Sequence, residues 1–395
     1  SPDLRWTLKF FNALIISLGF VFFYLFAKEL IGDKNKAIFA TLIFAAIPSY
    51  LSHFIWAHSL VITIFFPTIY AFHKSIEDKR WIVIAVLCTA SIWVTQNIEQ
   101  PIKLSTLIII YLVVLSIVYK KLLIAQIGAL TAGILLSLVW WAVIIQKYTL
   151  NGFLLYFGGG SFTAGSTVVL AKEGKINVLS ILTSAIKTIT NPSGSASRPY
   201  TFSDIFFAKA ENMINSPIGI GTVISVMVLI GVIFVLWKYK SNIVAKHNAW
   251  ICVSLFWLIF TFWGINGQTF GISVARGPFR VWMLLAIPVA LLATEGSFFL
   301  ADFFKKFNIP KLLILLIILF GVIVTSGIPK YKLNTSIWPT SGSFGTPAEP
   351  FEYGAWFDTI PHNTPVFMYS PRDKVPIGYG KFSCLWCQEV IDFRK

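Results

Sequence analysis

Apolar residues in this chain come in long unbroken blocks, not in the alternation of a half-buried strand or the stripe of a surface helix. Blocks near membrane-crossing length, about 20 mostly apolar residues, fall at 9–27, 37–55, 59–73, 81–98, 102–119, 122–145, 217–237, 249–265, 278–300 and 311–328. The pattern predicts an all-α polytopic membrane protein with about ten transmembrane helices. The third block is short and contains Pro67, so its neighbours are expected to set its tilt. Two stretches interrupt the rhythm. Residues 146–216 hold "YFGGGSFTAGST" and "TNPSGSASRPYTFSD", rich in Gly, Ser and Thr, and predict a long loop with one helix near 176–189. Residues 329–395 carry a helix-like "PFEYGAWFDTIP" and then "TPVFMYS", a strand pattern, which predicts the start of a small α/β module. The expected plan is a membrane domain over 1–328, including the long loop 146–216, and a separate C-terminal domain over 329–395.

Composition agrees with the pattern. Of 395 residues, 56% are hydrophobic and 12% charged, and the mean hydropathy of +0.75 lies outside soluble-domain usage. The formal charge is +15, and its distribution is more telling than its size. Lys28, Lys34, Lys36, then Lys74, Lys79, Arg80, then Lys120, Lys121, then Lys238, Lys240, Lys246, then Lys305, Lys306, Lys311 all follow odd-numbered blocks. The short loops of the other side hold Lys103 and Arg276. By the positive-inside rule the first set is cytoplasmic, which predicts extracytoplasmic termini and an extracytoplasmic 146–216 segment. Basicity is then a topology signal, and no nucleic-acid partner is needed to explain it. The chain opens on "SPDLRW" without an initiator methionine, and the expectation is that an earlier span precedes it.

Against this apolar background the stretch "ARGPFRVWMLLAIPVALL" stands out, because Arg276 and Arg280 head a membrane segment with Pro278 in its first turn. A helix start is already partly positive, so two guanidinium groups there call for an anion between them. A planar fork with fixed charge suits phosphate. The alternative is that both side chains snorkel to lipid headgroups. "SYLSHFIWAHSL" brings His53, His58 and Ser59 to the same face, and "WVTQNIEQPIKL" brings Gln96, Asn97, Glu99, Gln100 and Lys103. Such a set suits a polar, phosphate-bearing ligand. The two histidines read as interfacial hydrogen-bonding residues before metal ligands, since a metal site needs three or four convergent groups. Glu99 is a candidate general base or a partner of Lys103, although Pro101 argues against one continuous helix through both. Asp204, with Arg198 before it, is a second candidate acid or an exposed loop residue. Glu295 falls far from this face and reads as a structural contact. Cys88 and Cys252 read as small apolar fillers, Cys384 and Cys387 as a disulfide or half a zinc site, and "NTS" at Asn334 as a sequon.

The order of "GDKNKAIFATLIFAAIPSYLSHFIWAHSL", short-looped spans, one long outer loop, and then "ARGPFRVWMLLAIPVALLATEG" before an outer tail resembles the GT-C superfamily of polyprenyl-phosphate-dependent glycosyltransferases. It is most similar to the oligosaccharyltransferase catalytic subunit and its archaeal relatives, and less so to protein O-mannosyltransferases. The resemblance covers roughly residues 1–328. It implies a multi-pass protein of a prokaryotic, archaeal-type cell membrane. It also implies a lipid-linked sugar donor, polyprenyl- or dolichyl-phosphate, and an acceptor protein or glycan, with membrane lipid as the other partner. Arg280, Arg276 and Lys103 would hold the donor phosphate, Glu99 and Asp204 would be the acids at hand, and His53, His58, Gln96 and Asn97 would line the polar outer face. The family's leading catalytic aspartate would precede Ser1. Oligosaccharyltransferases place metal-binding acids in the second outer loop, and none stands there in this chain, so no metal ligand is assigned and magnesium or manganese dependence is left open. The tail has "FMYSPRDKVPIGYG" where a "WWDYG" acceptor motif would be expected, so sequon recognition does not carry over. Two other readings stay open: a catalytically silent lipid-phosphate-binding or assembly subunit, and a transporter or flippase of lipid-linked solutes. Sparse midplane charge counts against the last.

Overall fold

The computed structural model describes residues 4–50, 57–96, 99–157, 198–211, 216–273, 277–334, 356–361, 364 and 366. Two compact units emerge, one formed by 1–147 with 186–335 and the other by 148–185 with 336–395.

The first unit is a bundle of helices: α1 (Leu4–Ile31), α2 (Lys34–Ala46), α3 (Ala57–Lys74), α4 (Trp81–Thr95), α5 (Glu99–Val118) and α6 (Ile124–Phe157), whose residues from Tyr148 on count with the second unit. A short α7 (Phe202–Phe206) and an antiparallel pair, β1 (Lys209–Glu211) with β2 (Ser216–Ile218), follow. Then come α8 (Thr222–Lys238), α9 (Ala249–Ile265), α10 (Trp282–Lys305), α11 (Lys311–Val322) and α12 (Ile328–Asn334). A 3-10 turn, Pro278–Val281, leads into α10, and a wide π turn, Ile323–Gly327, joins α11 to α12.

This is an all-α, membrane-embedded protein, with fewer full-length crossings among its described residues than the sequence predicts. Among the described residues six helical segments are long and apolar enough to cross a membrane: Phe10–Ile31, Glu99–Val118, Ile124–Ala142, Lys246–Ile265, Pro278–Lys305 and Lys311–Lys332. Ser59–Lys74, Trp81–Thr95 and Thr222–Lys238 are apolar but shorter. The expected span 37–55 departs furthest, since α2 has 13 residues, about 20 Å of helix against a hydrocarbon core of about 30 Å. Its end has a local cause. Ile47 precedes Pro48, whose ring disfavours helical backbone in the residue before it, and Ile47 turns extended with ψ 122. At the other end Asp33 caps α2 by accepting the backbone N–H groups of Asn35 and Lys36.

α10 is the hub, packed by α2, α8, α9 and α11, and every residue from Trp282 to Phe298 is buried. Its contact with α8 is backbone on backbone. A Cβ on Gly231 would lie 2.1 Å from the Leu292 carbonyl oxygen, and one on Gly296 would lie 2.1 Å from that of Met227. Only glycine lets the two axes approach so closely. A second nucleus is aromatic: Phe23 stacks on Phe44 at 4.4 Å, and Phe26 lies 6.0 Å from Trp257. The Trp257 indole donates to the Leu107 carbonyl at 2.9 Å, tying α9 to α5.

At the lysine-rich ends, Lys36 pairs with Glu295 at 2.5 Å, Lys74 with Glu29 at 2.7 Å and Lys311 with Asp302 at 2.7 Å. Glu295 is thus the structural contact its position suggested. Cys88 and Cys252 are half-buried free thiols. The 146–216 segment departs from a plain loop, because α6 runs on to Phe157, α7 and β1 lie within it and β2 begins at its end. The helix expected near 176–189 lies outside the described residues, as do Cys384 and Cys387. In the second unit the described residues are the end of α6, a helical turn at 356–358 and the irregular positions 359–361, 364 and 366. The first residues of the predicted tail, 329–334, belong to α12. No strand occurs among the described residues of 329–395, and of the expected strand over 364–370 only Thr364 and Val366 are described, neither in a strand. The α/β start expected for this tail is therefore not what its described residues form.

Candidate functional site

Glu99 opens α5, and Pro101 sits in the same first turn. The amides of a first turn have no intrahelical partner, so proline removes nothing there, and Glu99 and Lys103 share one continuous helix after all. Facing them is the entry to α10. Gly277 takes a left-handed backbone, φ 66, and Pro278 then starts the 3-10 turn that carries Arg280. That turn aims the Arg280 guanidinium at Glu99, Nη1 to Oε2 2.5 Å, with 28% and 20% of the two side chains exposed. The ion pair is therefore half-open to its surroundings. Lys103, 1% exposed, donates to the Gly277 carbonyl at 3.4 Å. A Cβ on Gly277 would stand 3.6 Å from Glu99 Oε2 and 3.8 Å from both Lys103 Nζ and Arg280 Cδ. One glycine therefore lies at the meeting point of a carboxylate and two cations brought from helices far apart in sequence.

Two buried polar atoms at this place lack partners. Gln100 is fully buried, and its amide nitrogen donates to the Arg280 carbonyl at 3.4 Å, while its Oε1 accepts nothing. The Trp282 indole N–H, at the head of α10, donates to nothing. Buried polar groups are nearly always satisfied, so the open acceptor of Gln100, whose amide nitrogen reaches the Arg280 carbonyl, and the open donor of Trp282, two residues beyond Arg280, mark ground suited to a hydroxylated ligand.

Arg280, Lys103 and Glu99 are thus gathered as the sequence suggested. Gln96 closes α4 and is half-buried. His58 lies in the first turn of α3, its side chain outside the description. His53, Asn97 and Arg276 lie outside the described residues. Sequence reasoning passed over Gly277, whose signal was its place between an arginine and a proline, and the unpaired indole of Trp282.

Asp204 belongs to a different construction. Thr201 and Asp204 form a capping box at the start of α7. Asp204 Oδ2 accepts from the Thr201 amide at 2.7 Å, the Thr201 hydroxyl at 2.9 Å and Arg198 at 2.8 Å, while Oδ1 accepts from Lys209 at 2.9 Å. These donors, Arg198 foremost and then Lys209 and Thr201, hold the carboxyl far below the usual carboxylate range. So weak a base, 3% exposed, organises its loop instead of taking protons. Arg198 also covers the Tyr200 ring at 4.8 Å, and Tyr200 meets Trp282 edge-on at 5.2 Å, which ties this loop to the head of α10.

No protein-family model matches the chain, and no curated protein matches it in sequence. No group of three or more His, Cys, Asp or Glu side chains able to hold a metal occurs among the described residues.

Proposed function

We propose that the chain transfers a sugar from a polyprenyl-phosphate carrier to an acceptor protein or glycan on the extracytoplasmic side of a prokaryotic, archaeal-type cell membrane, as GT-C glycosyltransferases do. The observation that carries this reading is the meeting of Glu99, Arg280 and Lys103 around Gly277 at the head of α10. Arg280 and Lys103 hold the donor phosphate, whose oxygens take guanidinium donors now given to Glu99. Glu99, so released, accepts the proton of the acceptor hydroxyl or amide. The acceptor atom bonds to the anomeric carbon as the bond from that carbon to the phosphate oxygen breaks. The electron pair leaves on the phosphate, where the two cations stabilise the charge that develops. The open acceptor of Gln100 and donor of Trp282 suit the sugar's hydroxyls.

A second reading is a lipid-phosphate-binding subunit without chemistry of its own. The ion pair favours it, because a carboxylate held by arginine is a weaker base. One experiment tests the shared premise and separates the two. Purified protein in nanodiscs is titrated with a polyprenyl monophosphate, and transfer is followed with a polyprenyl-phosphate-linked radiolabelled sugar. Arg280→Ala is expected to weaken monophosphate binding by at least about tenfold with the fold intact. Unchanged binding sinks both readings, whereas tight binding with no transfer to any acceptor leaves the subunit.

A further inference from the structure

Lys330 is a second cation of a different kind, and the reading above makes no use of it. α11 runs away from the lysine-rich end of the bundle, so α12, which continues it, lies toward the end where α10 begins. Lys330 is 8% exposed. Its ammonium donates at 2.8 Å to the carbonyl of Ala45, one of the open carbonyls at the end of α2, and stands 5.4 Å from the centre of the Tyr50 ring. A helix C-terminus and an aromatic face each offset part of the cost of burying this charge. Among the described residues no carboxylate pairs with it, in contrast to Lys36, Lys74 and Lys311. An ammonium has three N–H donors, and one is used.

The neighbouring chain supplies another open group. Ser49, next to Tyr50, is 1% exposed. Its amide is held by the Gly219 carbonyl at 3.1 Å, while its hydroxyl has no partner. The Ile220 carbonyl close by accepts from the Ser326 hydroxyl at 3.1 Å. Glycine at 221 is what lets that turn of helix in, because a Cβ there would overlap Ser326 Oγ at 1.8 Å. Residues 45–50, 219–221 and 326–330 are therefore held against one another by the Lys330–Ala45, Ser49–Gly219 and Ser326–Ile220 hydrogen bonds, and they carry N–H donors of Lys330 and a Ser49 hydroxyl that have no partner among the described residues.

We propose that Lys330 and Ser49 form a second anion site, distinct from Glu99 and Arg280, that takes a phosphate group. A phosphate offers several acceptor oxygens to one ammonium and one hydroxyl, and its charge neutralises a cation whose burial the Ala45 carbonyl and the Tyr50 ring offset only in part. A phospholipid headgroup and free phosphate share this chemistry.

The test uses the whole protein in phosphatidylcholine nanodiscs, titrated separately with phosphatidylglycerol and with inorganic phosphate. Binding is counted by native mass spectrometry. Lys330→Gln keeps a donor for Ala45 and removes the charge, and Lys332→Gln removes the same charge from an exposed neighbour. The expected result is a loss of at least about tenfold in affinity for Lys330→Gln and none for Lys332→Gln. In parallel, acylation of Lys330 in the unmodified protein is read by peptide mass spectrometry, an arm that needs no variant to fold. Protection by phosphatidylglycerol alone assigns a lipid headgroup, and protection by inorganic phosphate assigns the free anion. Equal labelling in all three conditions, or a Lys330→Gln variant that is less stable yet binds as before, means that Lys330 only caps α2 and overturns the proposal.

Discussion

Asp204 and Glu99 are both carboxylates beside cations, and they differ in how completely they are used. Asp204 answers to an amide, a hydroxyl, a guanidinium and an ammonium, and it is almost wholly buried. Glu99 meets the Arg280 guanidinium in a half-open pair, and the residue after it, Gln100, carries a buried amide oxygen that has no partner. Saturated polar clusters fix a chain, whereas clusters with open valences have something left to give a ligand. The same residue types therefore serve as a fastening in one place and as a candidate site in the other.

The comparison breaks most visibly at Asp204. Asp204→Ala leaves Arg198 and Lys209 without their anion and α7 without its cap, and should lower stability by about 2–3 kcal/mol. Phosphate binding at Arg280 should persist in the folded fraction, and thermal unfolding beside a binding titration reads both. A loss of binding with no loss of stability would exchange the two roles.

Gly277→Ala should cost about 1 kcal/mol, because alanine resists left-handed backbone. The added carbon would meet its neighbours at 3.6–3.8 Å, an ordinary contact. A much larger loss in the same thermal measurement would mean that the turn, and not its backbone angle alone, is being displaced.

Glu99→Gln works on the open cluster. Freed from its partner, Arg280 should bind a polyprenyl monophosphate up to about fivefold more tightly, the scale of a part-exposed ion pair, while any sugar transfer is lost. Weaker binding would show that the carboxylate positions the arginine and does not compete for it.

The smallest effect is one of pH. Asp204 has a depressed folded-state value, so its stabilisation is complete above the unfolded carboxylate value of about 3.9 and fades only as pH falls toward the folded one. The stability difference between wild type and Asp204→Ala should therefore be level from pH 7 to about 5 and shrink below about 4. A difference that already declines between pH 7 and 5 would mean the carboxyl is not held by its donors.

Much of this was legible in the chain. Membrane helices announce themselves because about 20 apolar residues in a row have few other destinations, and the topology of lysine-rich loops brought Glu99, Lys103 and Arg280 to one face. Their meeting at Gly277 was not legible, because Glu99 and Arg280 lie 181 positions apart and no local rule aims one side chain at the other. The end of α2 was written in the Ile47–Pro48 pair, but the apolar block around it masked the signal. "TFSD" carries the capping spacing, so a structural Asp204 was readable too. Lys330 could not be recognised, since a lysine at the end of a membrane helix reads from sequence as a snorkelling side chain.

The wide turn Ile323–Gly327 decides which way that lysine faces. Its closing bond, from the Ile328 amide to the Ile323 carbonyl, spans one residue more than an α-helical bond. An added residue in a turn rotates everything after it by about 100° about the axis. A chain one residue shorter between Val322 and Ile328, with the same amino acids on either side, would carry position 330 out of phase with Ala45 and Tyr50. The angular phase of the last helix, a matter of counting and not of composition, therefore decides whether this charge faces its own protein or its surroundings.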